Sequence, residues 1–122
     1  MSRNIRVIFL VQAKDDFEAL NKIVGEQMAQ GKTNSEEMQL LKSIKNKIEL
    51  LKINPDYGDN ISKKLMPNEY VIKYGATNLY RIEIAHFWRM LYTIRGDQIE
   101  VICFILDIVD HNKYNKKFGY RG

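Results

Sequence analysis

Arg81, Glu83, Arg89, His111 and Tyr114 are the residues of this 122-residue chain whose types and spacing could do chemistry. Arg81 and Glu83 are two apart in an alternating stretch, so they share one side of a strand. Asp110 is a good N-cap for a helix reading HNKYNKKF. His111 and Tyr114, three apart, project from one side of that helix. Arginine holds a phosphate through two donors and keeps its charge. Histidine moves protons near neutral pH. In RNA, the 2′-hydroxyl beside the scissile phosphate is a built-in nucleophile. A protein need only deprotonate it, stabilise the extra charge and protonate the leaving oxygen, which requires no metal. The same residues also have plainer uses. Two arginines and a glutamate on a sheet face make a solvated ion-pair ladder. Trp88 reads as core and His86 as a loop residue.

The elements that must position these groups lie between Asn78 and Phe118. Leu79 to Ala85 alternates, with Tyr80, Ile82 and Ile84 against Arg81 and Glu83. Trp88 to Arg95 alternates too, and Gln98 to Leu106 is apolar on both faces, as in a central strand. Gly96-Asp97 suits a two-residue hairpin loop, which would pair Arg95 with Gln98, Tyr92 with Val101 and Trp88 with Ile105. One face is then Trp88, Met90, Tyr92, Ile94, Ile99, Val101, Cys103 and Ile105, and it needs a cover. The other face carries Arg89, Thr93 and Glu100 beside Leu91, Ile102 and Phe104. A tight loop at His86-Phe87 would turn Arg81 and Glu83 onto the covered face, which is costly for charges. A three-residue loop, Ala85-His86-Phe87, pairs Ile84 with Trp88 and Glu83 with Arg89. Because a one-residue slip flips every side chain, the odd-numbered loop is expected, with Arg81, Glu83 and Arg89 on the open face.

Upstream, Ile5 to Val11 reads as a strand at or near a sheet edge. Asp15 or Asp16 is expected to cap a helix through Phe17, Leu20, Ile23, Val24 and Met28, with Gly31 as its stop. Asn34 or Ser35 opens a second helix, with Glu36 or Glu37 near the capping-box position. Met38, Leu41, Ile44, Ile48 and Leu51 form its apolar stripe, and Asn54-Pro55 ends it. The short Gly31-Lys32-Thr33 connection makes these helices an antiparallel hairpin, the natural cover for the apolar sheet face. Tyr57 to Asn78 is irregular, with Tyr70 to Lys73 as a further short strand. The expected architecture is α+β in two layers, forming one domain over residues 1–122. An N-terminal helical hairpin packs on one face of a small, mainly antiparallel twisted sheet, and a short helix closes the chain.

The composition is 45% hydrophobic and 28% charged, ordinary for a soluble globular protein. The lone Cys103 excludes a disulfide framework and fits a reducing cytosol. The apolar run in the first residues is too short for a signal peptide. No stretch approaches the roughly 20 apolar residues of a membrane span. A net charge of +4 permits a nucleic-acid or acidic protein partner and proves neither. There is no HExxH, no Cys/His cluster and no Gly-rich phosphate loop, so no metal or other cofactor is expected.

Several motifs stand in a characteristic order. A helical hairpin is followed by Asn54-Pro55-x-x-Gly58, then the strand Trp88-Arg89-Met90-Leu91-Tyr92. The chain closes on Asp110-His111-x-x-Tyr114-x-x-x-Phe118-Gly119-Tyr120-Arg121. In this the chain resembles the RelE/ParE toxin superfamily of type II toxin–antitoxin systems, over most of its length. The resemblance implies a small cytoplasmic endoribonuclease, an mRNA interferase that cuts message in the ribosomal A site. It also implies a small cognate antitoxin, with ribosome and mRNA as further partners and no membrane. On that resemblance Arg89 contacts the scissile phosphate, Tyr114 stacks on or acts near the substrate base, and His111 serves in proton transfer. Arg81 lies on a strand that carries basic residues in the family. Glu83 stands where some members have lysine and others a glutamate base, so the base is open between Glu83 and His111. Lys63, Lys64, Lys73, Lys113, Lys116, Lys117 and Arg121 are the cations expected to meet RNA or ribosome. The ParE branch, which binds DNA gyrase and has no nuclease pocket, is the alternative, as is an inactive member that only binds antitoxin.

Overall fold

The computed structural model describes residues 4–119. Five strands form one mixed sheet in the order β1-β5-β4-β3-β2: β1 Asn4–Phe9, β2 Asp59–Asn60, β3 Tyr80–Glu83, β4 Arg89–Gly96 and β5 Glu100–Val109. β1 runs parallel to β5 on one edge, and the other pairings are antiparallel. Helices α1 Val11–Ala29 and α2 Glu36–Ile53 form the hairpin, and α4 His111–Phe118 closes the chain. This is the expected α+β architecture.

The hairpin covers one sheet face. Ala13, Leu40, Ile44 and Leu51 meet Ile82, Ile84, Met90, Tyr92, Cys103 and Ile105 in a buried core, with Phe17, Leu20 and Trp88 packed at its margin. Burial pushes the Cys103 thiol up to about 11, so it is an inert packing residue. Ser35 caps α2 by accepting a hydrogen bond from the Met38 backbone N–H at 3.0 Å. The start of α1 differs from expectation. The helix begins at Val11 with Leu10 as an N-cap that makes no side-chain bond, and Asp15 and Asp16 lie inside it. Leu10 packs in the second core instead, so burial rather than a polar cap sets the boundary.

The motif Asn54-Pro55-x-x-Gly58 is a tyrosine clamp. The Tyr92 hydroxyl, from the fully buried ring, donates to the Pro55 carbonyl at 2.9 Å and accepts from the Gly58 N–H at 2.9 Å. A Cβ on Gly58 would stand 2.7 Å from both the Arg81 carbonyl oxygen and that hydroxyl. Only glycine lets this segment lie against the sheet and deliver Asp59 to β2.

The second face is not open along its length. Leu79, Leu91, Leu106, Val109, Tyr70, Ala76 and Tyr114 make a second buried core under α4 and α3 Asn68–Tyr74. The segment expected as a strand at Tyr70–Lys73 is this helix. Gly75 ends it in the left-handed region, and Arg95 donates to the carbonyls of Tyr74 and Gly75, each at 2.9 Å.

The β3–β4 loop is the expected three-residue turn, with Ile84 bonded to Trp88 at 2.9 Å and Glu83 opposite Arg89. The β4–β5 register is not as expected. Gly96 pairs with Val101, Tyr92 with Ile105, and Asp97 to Glu100 form the turn. The Asp97 carboxylate accepts from the N–H groups of Ile99 and Glu100, each at 2.8 Å, and leaves Ile99 exposed. The slip is even-numbered, so the faces survive. A bulge opposite Leu91 and Tyr92 leaves Leu106 unpaired and aligns Leu91 with Asp107. Strict alternation would aim Asp107 at the helical hairpin. The bulge keeps it on the second face and returns Ile108 to the first core.

Candidate functional site

Strand parity places Arg81 and Arg89 on the second face at the margin of its core, and α4 lays Tyr114 against them. Asp110 sets the start of that helix by accepting from the Lys113 N–H at 2.8 Å. Tyr114 is 3% exposed and stacks on Phe118 at 4.4 Å between ring centroids. The Arg89 guanidinium lies over the Tyr114 ring at 4.8 Å and that of Arg81 at 5.7 Å. Arg81 also donates to the Tyr114 hydroxyl at 3.0 Å and to the Asp59 carboxylate at 3.1 Å. Burial pulls the Arg81 guanidinium down, but its bonds to Asp59 and Tyr114 outweigh that and raise it. Arg89 donates to the Phe87 carbonyl at 2.9 Å. Among the described residues, the Nε atoms of both arginines are buried without a hydrogen-bond partner. The Tyr114 ring offers its π-face to the Arg89 charge, and the Asp59 carboxylate pairs with that of Arg81. Two permanent cations thus stand beside one ring, the kind of pairing that can receive an anion.

Glu83 and His111 stand beside this pair. Glu83 is exposed, directly across the ladder from Arg89, and among the described residues no ion pair joins the two. Glu83 and Arg81 share a depression of about 190 Å³ with Lys47, Tyr57, Gly58 and Asp59. His111 is exposed and its ring meets Phe87 edge-on at 6.2 Å. The five residues with candidate chemistry therefore fall in one band across the end of β3, the start of β4 and α4.

The loop at one end of the band is strained. His86 and Phe87 have φ of 58° and 63°, a left-handed conformation that costs a non-glycine residue about 1–2 kcal/mol. Neighbours hold it: the His86 Nε2 meets Gln39 Oε1 at 2.8 Å, and the Ala85 N–H donates to the Ser43 hydroxyl at 3.0 Å.

The lysines divide. Lys63 and Lys64 are exposed on a 3₁₀ turn, Lys63–Leu65. Lys73, Lys113, Lys116 and Lys117 line a cavity of about 420 Å³ between α3, α4, the end of β5 and the start of α1. Lys117 is engaged inside the protein, at 2.7 Å from Glu69 and 3.3 Å from Asp107. Asp107 also accepts from the Tyr70 hydroxyl at 2.8 Å. Burial raises the Tyr70 hydroxyl, and the charge and hydrogen bond of Asp107 raise it further. Arg121 lies outside the described residues.

Sequence reasoning missed Asp59, Phe87 and the Tyr70–Asp107–Lys117–Glu69 cluster. Asp59 sits one residue after the Asn54 to Gly58 motif, which was its only signal. Among the described residues, no group of three or more His, Cys, Asp or Glu side chains is arranged to hold a metal, and no helix is long and apolar enough to cross a membrane. Comparison with known protein families, with curated proteins and with solved structures gives no match.

Proposed function

We propose that the chain is a RelE-like toxin, a metal-independent endoribonuclease that cuts mRNA on the ribosome and so stops translation. The observation that carries this reading is the convergence of Arg81 and Arg89 on Tyr114, with His111 and Glu83 at the edge of the same band. Arg89 binds the scissile phosphate and neutralises the charge that grows on it as the 2′-oxygen attacks. Arg81 holds the same or the neighbouring phosphate, with Asp59 fixing its direction. His111 and Glu83 carry the two proton transfers, one from the 2′-hydroxyl and one to the departing 5′-oxygen. Tyr114 supports both guanidiniums. Lys63, Lys64, Lys73, Lys113 and Lys116 supply exposed charge for the RNA and the ribosome. A small antitoxin keeps the protein silent in the cell.

The test is induction of the chain alone. Growth is expected to stop with methionine incorporation falling first, and a cognate antitoxin is expected to restore it. Normal incorporation alongside stalled DNA synthesis would instead identify a gyrase inhibitor.

A further inference from the structure

Phe87 is the one group of the band that neither packing nor the proposed chemistry uses. Its side chain belongs to a residue 75% exposed, although phenylalanine is normally driven inside. It sits in the left-handed loop whose backbone is held at Ala85 by Ser43 and at Phe87 by Arg89, with the His86 side chain on Gln39. The loop thus holds the backbone in a strained conformation that presents the ring to water. Its surroundings are specific. The ring meets His111 at 6.2 Å, and its own carbonyl accepts from Arg89, whose guanidinium lies on Tyr114. A phosphate held by Arg89 would place the attached nucleoside beside the Phe87 ring.

We propose that Phe87 is a stacking platform for a nucleobase of single-stranded RNA, the base next to the phosphate that Arg89 holds. This rests on the nuclease reading and adds to it a substrate-positioning residue. An aromatic face accepts any base, because every base has a π-face. Phe87 therefore sets the position of the strand and not its sequence. The edge-on His111 ring buttresses the platform from the side of α4.

The experiment measures cleavage of a ribosome-bound message under single-turnover conditions. Phe87→Ala and Phe87→Leu are expected to lower kcat/KM by roughly 5- to 150-fold, the range that one lost base stack gives, chiefly through KM. Phe87→Trp is expected to restore it, since tryptophan keeps the π-face while leucine keeps only apolar bulk. A message with an abasic site at the stacked position is expected to weaken the wild type by a similar factor and to leave Phe87→Ala nearly unchanged. Because Phe87 lies on the surface, its melting temperature serves as the control for folding. If Phe87→Leu cuts as well as the wild type, the platform is wrong and the nuclease reading stands. If the wild type cuts nothing, both fall together.

Discussion

Arg89→Ala is expected to lower cleavage by about two orders of magnitude or more, the usual loss for a group that stabilises developing charge. The fold should survive it. Arg89 is on the face opposite the helical hairpin, half-exposed, and its bonds go to the Phe87 carbonyl and the Tyr114 ring rather than to the main core. Its loss removes one cation from the ring and frees one loop carbonyl to water. Arg89→Lys should rescue little. An ammonium keeps the charge but loses the flat fork that can hold two phosphate oxygens and lie on an aromatic face. The measurement is single-turnover cleavage beside thermal unfolding. A variant that melts much earlier, with activity lost in proportion, would make Arg89 a structural residue.

Lys117→Met is expected to be strongly destabilising for a change at a charged residue. It leaves Asp107, whose side chain is 12% exposed, without its cation. Removing one partner of a buried pair is worse than removing both, because a charge is stranded. The cost is expected to be about 2–3 kcal/mol, below the value for a fully dry pair because Lys117 is itself 23% exposed. Lys117→Met combined with Asp107→Leu should recover part of the loss. The sign with pH follows from the lysine. Burial pulls the Lys117 ammonium down, but hydrogen bonds and charge from Glu69 and Asp107 outweigh that and raise it. Its folded value therefore lies above its ordinary value of 10.5, and the pair adds full stability below that pH. The gain is lost as pH climbs through the raised value. Tyr70, raised in the same way, adds a loss in the same alkaline direction. Chemical denaturation across the alkaline range checks this. The wild type should lose stability steeply there and Lys117→Met less so. Parallel curves would show that the ion pairs contribute nothing.

Much of the band was legible because few residues decide it. Arg81 and Glu83 had to leave the covered face, and that single constraint determined the loop length and the pairing of Glu83 with Arg89. Asp110 announced α4 through a polar cap. The α1 boundary was silent because Leu10 offers burial and no cap. Tyr70–Lys73 reads as a strand because Tyr-Val-Ile is β-rich. The chain makes it a helix by burying Tyr70 against Asp107 while Val71 and Ile72 stay exposed. The bulge at Leu106 has no local signature. It follows from the need to keep Asp107 off the apolar face, which shows only once Lys117 and Tyr70 are in place. Lys117 itself is read from sequence as one of the cations that meet RNA or ribosome, whereas the fold engages it with Glu69 and Asp107. Phe87 is placed by sequence in the Ala85-His86-Phe87 loop and no further, since exposure cannot be read from residue type.

The most direct measurement is the chemistry of the cut ends. Purified protein is incubated with ribosomes carrying a message, and the product termini are analysed. Attack by the substrate's own 2′-hydroxyl, with Arg89 on the phosphate, yields an upstream fragment ending in a 2′,3′-cyclic phosphate and a downstream fragment with a free 5′-hydroxyl, and Arg89→Ala should yield both about two orders of magnitude more slowly. Intact message with the wild-type protein, or fragments bearing 5′-phosphates, would contradict the account.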